Sequence, residues 1–425
     1  MPNEAMTALK SALAIQGQHI DALTPEEHAA TRAKLGNLLL AAGDLQAAEA
    51  QLGQAVTLTP PTQHYDAATR LFDRARVLEA QGDIDVADML VAEARAKLEQ
   101  LTGEEIIRLD LELRRYGAWL TYRAGDIPAS ARQFKALVTE VPSDEPLIMG
   151  LALNGLGVAA YGTGDYAEAF TYFRRALENF DIAGSQRRQC SAFNNLGMVS
   201  GKSGNTREAI KWYERALNLQ AKSGNRTGLA QTYNNIGSLY GDLGDFAKAE
   251  GFLRESVRIR EVSGHSGLAI GYANLSEVLF KQHRLVDALA YVTEAISLCE
   301  NGQGPQYLLP DAHRMLAEMH LEDGAVELSI SSAHDALLLA ERASDAPRKA
   351  AAYRALAQAF SLHGKPEEAE AYLNLCIDTL EGIDSPFELA KAYDAKADHL
   401  DRVSSEGAGD PFRQRAASLR AGLAL

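Results

Sequence analysis

Small and large apolar residues return along this 425-residue chain in one phase, about every forty residues, on either side of a glycine followed by a polar residue. Those dipeptides are Gly43-Asp44, Gly82-Asp83, Gly125-Asp126, Gly164-Asp165, Gly204-Asn205 and Gly244-Asp245. The series continues at His283-Arg284, Gly324 and Gly364-Lys365, with spacings of 39, 43, 39, 40, 40, 39, 41 and 40 residues. Glycine supplies the left-handed backbone that ends one helix, and Asp or Asn caps the next. Each site therefore predicts a tight turn between antiparallel helices.

Five residues past the turn stands a small residue: Ala48, Ala87, Ser130, Ala169, Ala209, Ala249, Ala288, Ser329 and Ala369. Seven further on another recurs, at Ala55, Ala94, Ala176, Ala216, Ser256, Ala295 and Ala336. Small side chains at those points let paired helices approach closely. Before the turn sits a leucine-glycine pair or its variant, as in Leu35-Gly36, Leu156-Gly157, Leu196-Gly197 and Ile236-Gly237. A glycine inside a helix costs about 1 kcal/mol of propensity, so its return at one phase predicts contact with the partner helix.

These positions resemble the tetratricopeptide repeat. The repeat with Tyr233, Ile236, Gly237, Tyr240, Ala249, Leu253 and Ser256 follows that pattern closely, as does the one with Phe193, Leu196, Gly197, Ala209, Tyr213 and Ala216. The usual unit has 34 residues, whereas this one has longer helices. That lengthened form is similar to the arrays of kinesin light chain, the Pins-type adaptors and the bacterial Rap and MalT families. The pattern blurs toward the ends, with Arg74-Ala75 and Gly117-Ala118 in place of Leu-Gly. The resemblance implies an all-α superhelix of about nine helix pairs over residues 25–383. Residues 1–24 are expected to form a capping helix, and residues 384–425 a capping helix pair broken around Ser404 to Pro411.

In such arrays the first helix of each pair lines the concave side, and the residue before the Leu-Gly pair faces it. Here that residue is Lys34, Asp73, Tyr116, Gly155, Asn195, Asn235, Asn274, Met315 and Ala355 in turn. The resemblance implies that Asn195, Asn235 and Asn274 hold the backbone of an extended peptide, since an amide offers both donor and acceptor. The other reading is that these amides bond between neighbouring helices and fix the stacking. One turn on lie Met198, Ser238 and Glu277, and another turn on Lys202, Asp242 and Lys281, placed to read side chains of the bound segment. Asn194 and Asn234 point partly into the seam. A clamp for a chaperone-type C-terminal carboxylate is disfavoured, because Asp242 interrupts the lysines.

Composition narrows the function. Lys+Arg number 42 against Asp+Glu 57, a net charge of −15, which repels phosphate backbones and anionic lipids. The basic clusters Arg187-Arg188 and Arg254 with Arg258 and Arg260 read as solvated faces. Cys190, Cys299 and Cys376 are far apart and read as small core residues in a reducing compartment. The first residues lack a signal-peptide pattern and no apolar run reaches membrane length, so the expected location is cytoplasmic. No phosphate loop, zinc motif or nucleophile elbow occurs. His313 and His320, with Glu318 between them, read as ordinary histidines rather than a metal site. Carboxylate pairs such as Glu26-Glu27, Glu104-Glu105 and Glu367-Glu368 suit helix starts. No cofactor is expected. The expected function is a non-catalytic scaffold or adaptor for another protein or peptide. The alternative is a peptide-responsive regulator of the Rap or MalT type. The apolar tail at residues 421–425 offers a route to a homo-oligomer.

Overall fold

The computed structural model describes residues 24–263, 267–383, 385–404 and 407–423. The capping helix expected at residues 1–24 therefore lies outside the described residues, except for Thr24. Among the described residues the chain forms twenty α-helices in consecutive antiparallel pairs and no strand. The pairs are α1 (Pro25–Ala42) with α2 (Leu45–Leu58), α3 (His64–Gln81) with α4 (Ile84–Leu98), and α5 (Glu104–Arg123) with α6 (Ile127–Glu140). Then come α7 (Pro146–Gly162) with α8 (Tyr166–Ile182), α9 (Gln186–Lys202) with α10 (Thr206–Lys222), and α11 (Arg226–Asp242) with α12 (Phe246–Ser263). The last are α13 (Leu268–Lys281) with α14 (Leu285–Glu300), α15 (Leu309–Glu322) with α16 (Val326–Arg342), α17 (Ala346–Leu362) with α18 (Pro366–Glu381), and α19 (Pro386–Val403) with α20 (Asp410–Leu423). Two compact units, residues 1–232 and 233–425, divide the chain within α11.

Helix α8 shows how sequence makes each element. Ala169, Phe173, Ala176, Leu177 and Phe180 recur at helical spacing and are all buried, giving one apolar stripe. Asp165 caps the start by accepting from the Glu168 amide at 2.9 Å, and the helix holds no proline or glycine. It ends where Gly184 takes φ +63° and the Ser185 amide reaches back to the Phe180 carbonyl at 3.0 Å, as in a Schellman motif. At the turn within a pair, Asp44 and Asp126 cap in the same way, at 3.1 Å to Ala47 and 2.9 Å to Ala129. Asp83 and Asn205 make no such cap bond.

The two helices of a pair interlock through the recurring glycine. A Cβ on Gly36 would lie 2.5 Å from Leu52, on Gly157 2.5 Å from the Phe173 ring, on Gly197 2.6 Å from Tyr213, and on Gly237 2.6 Å from Leu253. Real Cβ atoms do not stand that close to carbon, so the large residue of the second helix fills the place where a side chain would be. The small residues on either side of it, from Ala48 to Ala369 and from Ala55 to Ala336, are all buried.

In two of the four pairs whose first helix carries alanine in place of that glycine, a serine answers from the second, whereas Ala75 and Ala357 are matched by Ala87 and Ala369. Ser130 Oγ donates to the Ala118 carbonyl at 2.7 Å, and Ser329 Oγ to the Ala317 carbonyl at 2.8 Å. In the seventh pair the hydroxyl changes sides, Ser276 Oγ donating to the Ala288 carbonyl at 2.7 Å. Helix α7 is closely seated through three glycines. It carries no charged side chain, and its Gly155, Gly150 and Gly157 lie under the rings of Phe134 from α6 and of Phe180 and Phe173 from α8.

Cys190, Cys299 and Cys376 are buried and free. Burial pushes the Cys299 thiol up to about 11 and the Cys376 thiol up to about 12, the behaviour of unreactive core residues. The last pair closes on its neighbour through Ala390, Ala392 and Tyr393, which pack with Tyr353, Cys376, Ile377 and Leu380. Buried Lys396 reinforces this, its Nζ donating to Glu370 Oε1 at 2.8 Å and Asn374 Oδ1 at 2.7 Å. Residues 405 and 406 in the break and 424 and 425 in the tail lie outside the described residues.

Candidate functional site

Side chains seven apart on a helix share a face. On α9 that places Arg188, Asn195 and Lys202 in one row, with Met198 between the last two. Asn195 and Met198 are half-buried and Lys202 is exposed. The Asn195 Nδ2 donates to Asn154 Oδ1 on α7 at 2.8 Å. Asn154 lies forty residues before Asn194 and eighty before Asn234, and that periodicity is the signal that would have found it. An amide has two donor hydrogens and an acceptor with two lone pairs, so one bond leaves each asparagine of the pair with capacity to spare. Asn194 turns the other way. It is 4 % exposed, donates to the Cys190 carbonyl at 3.1 Å and accepts from Thr232 Oγ1 at 3.0 Å.

The second unit repeats the arrangement. Asn274 Nδ2 on α13 donates to Asn234 Oδ1 on α11 at 3.1 Å. Asn235 and Ser238 are half-buried, while Asp242, Glu277 and Lys281 are exposed. The charge of Glu277 reaches Arg314 on α15, whose guanidinium donates to Glu318 at 2.6 Å. Farther along, Arg348 donates to Asp311 at 2.8 Å and to Asp345 at 2.6 Å. Arg314 and Arg348 thus have carboxylates at hand.

The position before the Leu-Gly pair does not stay open throughout. Tyr116, Gly155, Met315 and Ala355 are buried there. Gly155 is covered by the Phe134 ring, and Tyr116 packs edge-on against Phe72 with centroids 5.2 Å apart. Burial, with the nearby Glu79 carboxylate, pushes the Tyr116 phenol well up. At Asp73 the carboxylate accepts from Asn37 Nδ2 at 2.6 Å and pairs with Arg76 at 3.3 Å. Burial nonetheless holds it above the ordinary range.

Of the basic residues expected to be solvated, Arg260 is not and Arg188 is only partly so. Arg260 is buried, its guanidinium donating to the Gly267 carbonyl. Arg188 is half-buried, and burial, followed by the positive charges of Arg115 and Arg187, holds it below the ordinary arginine value. Arg187, Arg254 and Arg258 are exposed as expected. His313 lies 3.9 Å from Asp335, and among the described residues no group of three or more His, Cys, Asp and Glu is placed to hold a metal ion. No described helix is long and apolar enough to cross a membrane. A cleft of about 580 Å³ opens among α4, α5 and α6, edged by the ion pairs Arg95–Asp110 at 2.9 Å and Arg114–Glu140 at 2.6 Å.

The fold has many solved counterparts. A Rap protein complexed with competence and sporulation factor is 13 % identical over 85 % of this chain and 99 % of its own, with a TM-score of 0.59. The apo quorum sensor NprR from B. thuringiensis is 14 % identical over 83 % of this chain and 98 % of its own, at 0.56. Aspartyl phosphate phosphatase F from Bacillus subtilis is 13 % identical over 83 % and 94 %, at 0.55. At such identities the likeness concerns the fold alone. No curated protein matches the sequence. Two sequence models described as tetratricopeptide repeat match, one at residues 188–261 and 308–381, the other at residues 33–87 and 117–183. Their matches together span more than half of the chain, and they fall on the helix pairs whose glycines and small residues interlock: the chain belongs to the tetratricopeptide repeat family.

Proposed function

We propose that this chain is a non-catalytic scaffold that holds an extended segment of another protein against the first-helix faces of its units. The observation that carries the reading is the Asn195–Asn154 pair and its counterpart Asn274–Asn234. Each bond orients an amide before any ligand arrives, so less freedom is lost on binding. The remaining donor and acceptor suit the N–H and C=O of a peptide backbone. The two sequence readings of the asparagines then merge, because the bond that fixes stacking also aims the amide. Asn235 belongs to the same set, with Met198, Ser238, Glu277, Lys202, Asp242 and Lys281 meeting side chains of the segment.

A second reading is a regulator that responds to a small peptide. It is favoured by the Rap protein solved with competence and sporulation factor and by NprR, named a quorum sensor. One fold counterpart is named a phosphatase, but the likeness gives no catalytic residue to this chain.

The test is retention of soluble proteins of the source cell on immobilised wild type and on the Asn195→Ala, Asn235→Ala, Asn274→Ala triple variant. A protein held only by the wild type, with the variant still helical, supports the scaffold reading. Identical catches would move the binding surface away from the asparagines. A triple variant that unfolds would confine the amides to stacking.

A further inference from the structure

Two positions that are apolar in earlier pairs are ionisable in the last one. Lys396 on α19 stands where other first helices have Leu196, Leu275 and Leu356, and His399 where they have Val199, Val278 and Ala359. All of these are buried, and the replacements stay buried, Lys396 at 5 % and His399 at 4 % exposure. Lys396 is balanced, its Nζ donating to Glu370 Oε1 and Asn374 Oδ1 on α18. His399 is not.

The His399 Nδ1 lies 3.5 Å from Ser361 Oγ on α17, and that oxygen already accepts from Arg402 at 2.9 Å. The hydroxyl therefore has its own proton to offer, with Nδ1 as acceptor. Nε2 is shut off from water and makes no hydrogen bond among the described residues. A neutral ring fits this place. A protonated ring must donate from both nitrogens and would carry an unpaired charge into the seam.

The surrounding charges do not rescue it. From α18 comes Glu370, which Lys396 already holds, and from α19 itself come Lys396 and Arg402. On α17, Arg354 is engaged by Glu388 at 3.3 Å. From α20, Arg413 pairs with Asp398 and Asp401, and Arg420 with Asp394. Burial outweighs the pull of Glu370 and of the Pro366 carbonyl, and repulsion from Lys396 and Arg402 adds to it, so the imidazole lies below the ordinary 6.5. A histidine lowered in this way supports docking in full above 6.5 and loses that support as pH falls through 6.5 toward the docked value. The Lys396 hydrogen bond holds Glu370 below 4.5, and Lys391 and Arg354 hold Glu388 there against burial. These carboxylates keep their charge through that window.

We propose that His399 makes the last helix pair an acid-released latch: protonation of its ring detaches α19 and α20 while the pairs before them stay folded, uncovering the apolar face of Tyr353, Cys376, Ile377 and Leu380. This goes beyond the scaffold reading and does not rest on it.

Hydrogen exchange of the full-length chain from pH 7.5 to 5.5, corrected for the intrinsic pH dependence of exchange, tests it. In the wild type the protection of α19 and α20 should fall by up to about tenfold, because a detached imidazole takes up its proton near 6.5. Protection of α15 and α16 should hold. His399→Gln should flatten the response, and so should His399→Leu, which restores the apolar character of the earlier pairs. Unchanged wild-type protection overturns the proposal, as does an equal fall in all helices or the same fall in a variant that docks at pH 7.5. If neither variant docks at pH 7.5, His399 is a packing residue and the proposal fails.

Discussion

The Asn195 side chain donates to the Asn154 oxygen at 2.8 Å, a bond between residues 41 apart in sequence that ties two consecutive first helices. Replacing either asparagine by alanine should cost about 1 kcal/mol. The double variant should lose less than the sum, with a coupling of about 0.5–1 kcal/mol. Denaturant midpoints of the four proteins measure it, and strictly additive losses would show that the two amides do not meet in solution.

Gly157 and Gly251 make a contrasting pair. A Cβ on Gly157 would meet the Phe173 ring at 2.5 Å, whereas nothing lies within 4 Å of the same atom on Gly251. Gly157→Ala should therefore destabilise by about 1–3 kcal/mol, and Phe173→Leu in the same chain should recover part of the loss. Gly251→Ala, inside α12, should stabilise by about 0.5–1 kcal/mol. Thermal melting of the three variants decides it; equal effects at the two glycines would refute the interlock.

His283 occupies the turn where the other first helices have glycine, and takes φ +59°. Its side chain is 86 % exposed and 3.7 Å from Glu322, a contact of negligible worth at such exposure. His283→Gly relieves a left-handed backbone and should raise stability by about 0.5–1 kcal/mol. A lowered melting temperature would mean that the imidazole has a role beyond the turn.

Asp73 carries a pH signature. Burial raises its folded value above 3.8, against the opposing bonds from Asn37 and Arg76. A raised carboxyl favours folding while protonated and loses that contribution as pH rises through the folded value. Asp73→Asn should accordingly be more stable than the wild type at neutral pH, with the advantage narrowing as acid protonates the wild-type carboxyl. Melting curves across the acidic range test the sign. An advantage that widens in acid would mean the charged form is the one the fold prefers.

Removing the last helix pair from Ser385 onward uncovers Tyr353, Cys376, Ile377 and Leu380, which pack against Ala390, Ala392 and Tyr393. It also strips Glu370 and Asn374 of Lys396. An exposed apolar face of that kind favours association, so light scattering should detect aggregates of the shortened chain. A stable monomer would show that the pair is not a cap.

The helix pairs were legible because their cause is local. Gly164 and Gly204 end helices by backbone conformation, and Ala169 or Ala209 seats a neighbour by size, so single residues at one phase announce them. The faces were less legible because burial depends on what the next helix brings. Gly155 and Asn195 hold the same place in their repeats, yet only Gly155 is shut away, by Phe134 from the preceding pair. Asn154 lies in the register next to the one that precedes Leu-Gly, so the pattern of that position does not point to it. The partial burial of Arg188 is not legible locally, because the charges that act on it, those of Arg115 and Arg76, stand 73 and 112 positions away in the chain.

The exchange between Ala118 with Ser130 and Ser276 with Ala288 bears on how such a chain avoids misassembly. Twenty similar helices could be joined in many wrong combinations during folding, each burying comparable apolar surface. A first helix with glycine accepts Phe173 or Tyr213, but one bearing Ala118 or Ala317 has no hollow for them. A serine such as Ser329, offered to the wrong partner, would leave its hydroxyl sealed without an acceptor, at a cost of about 1–3 kcal/mol. Small differences between neighbouring repeats therefore work as addresses, and making the repeats identical to a consensus would erase them. Such a chain would keep its helices and lose the means of telling one partner from another.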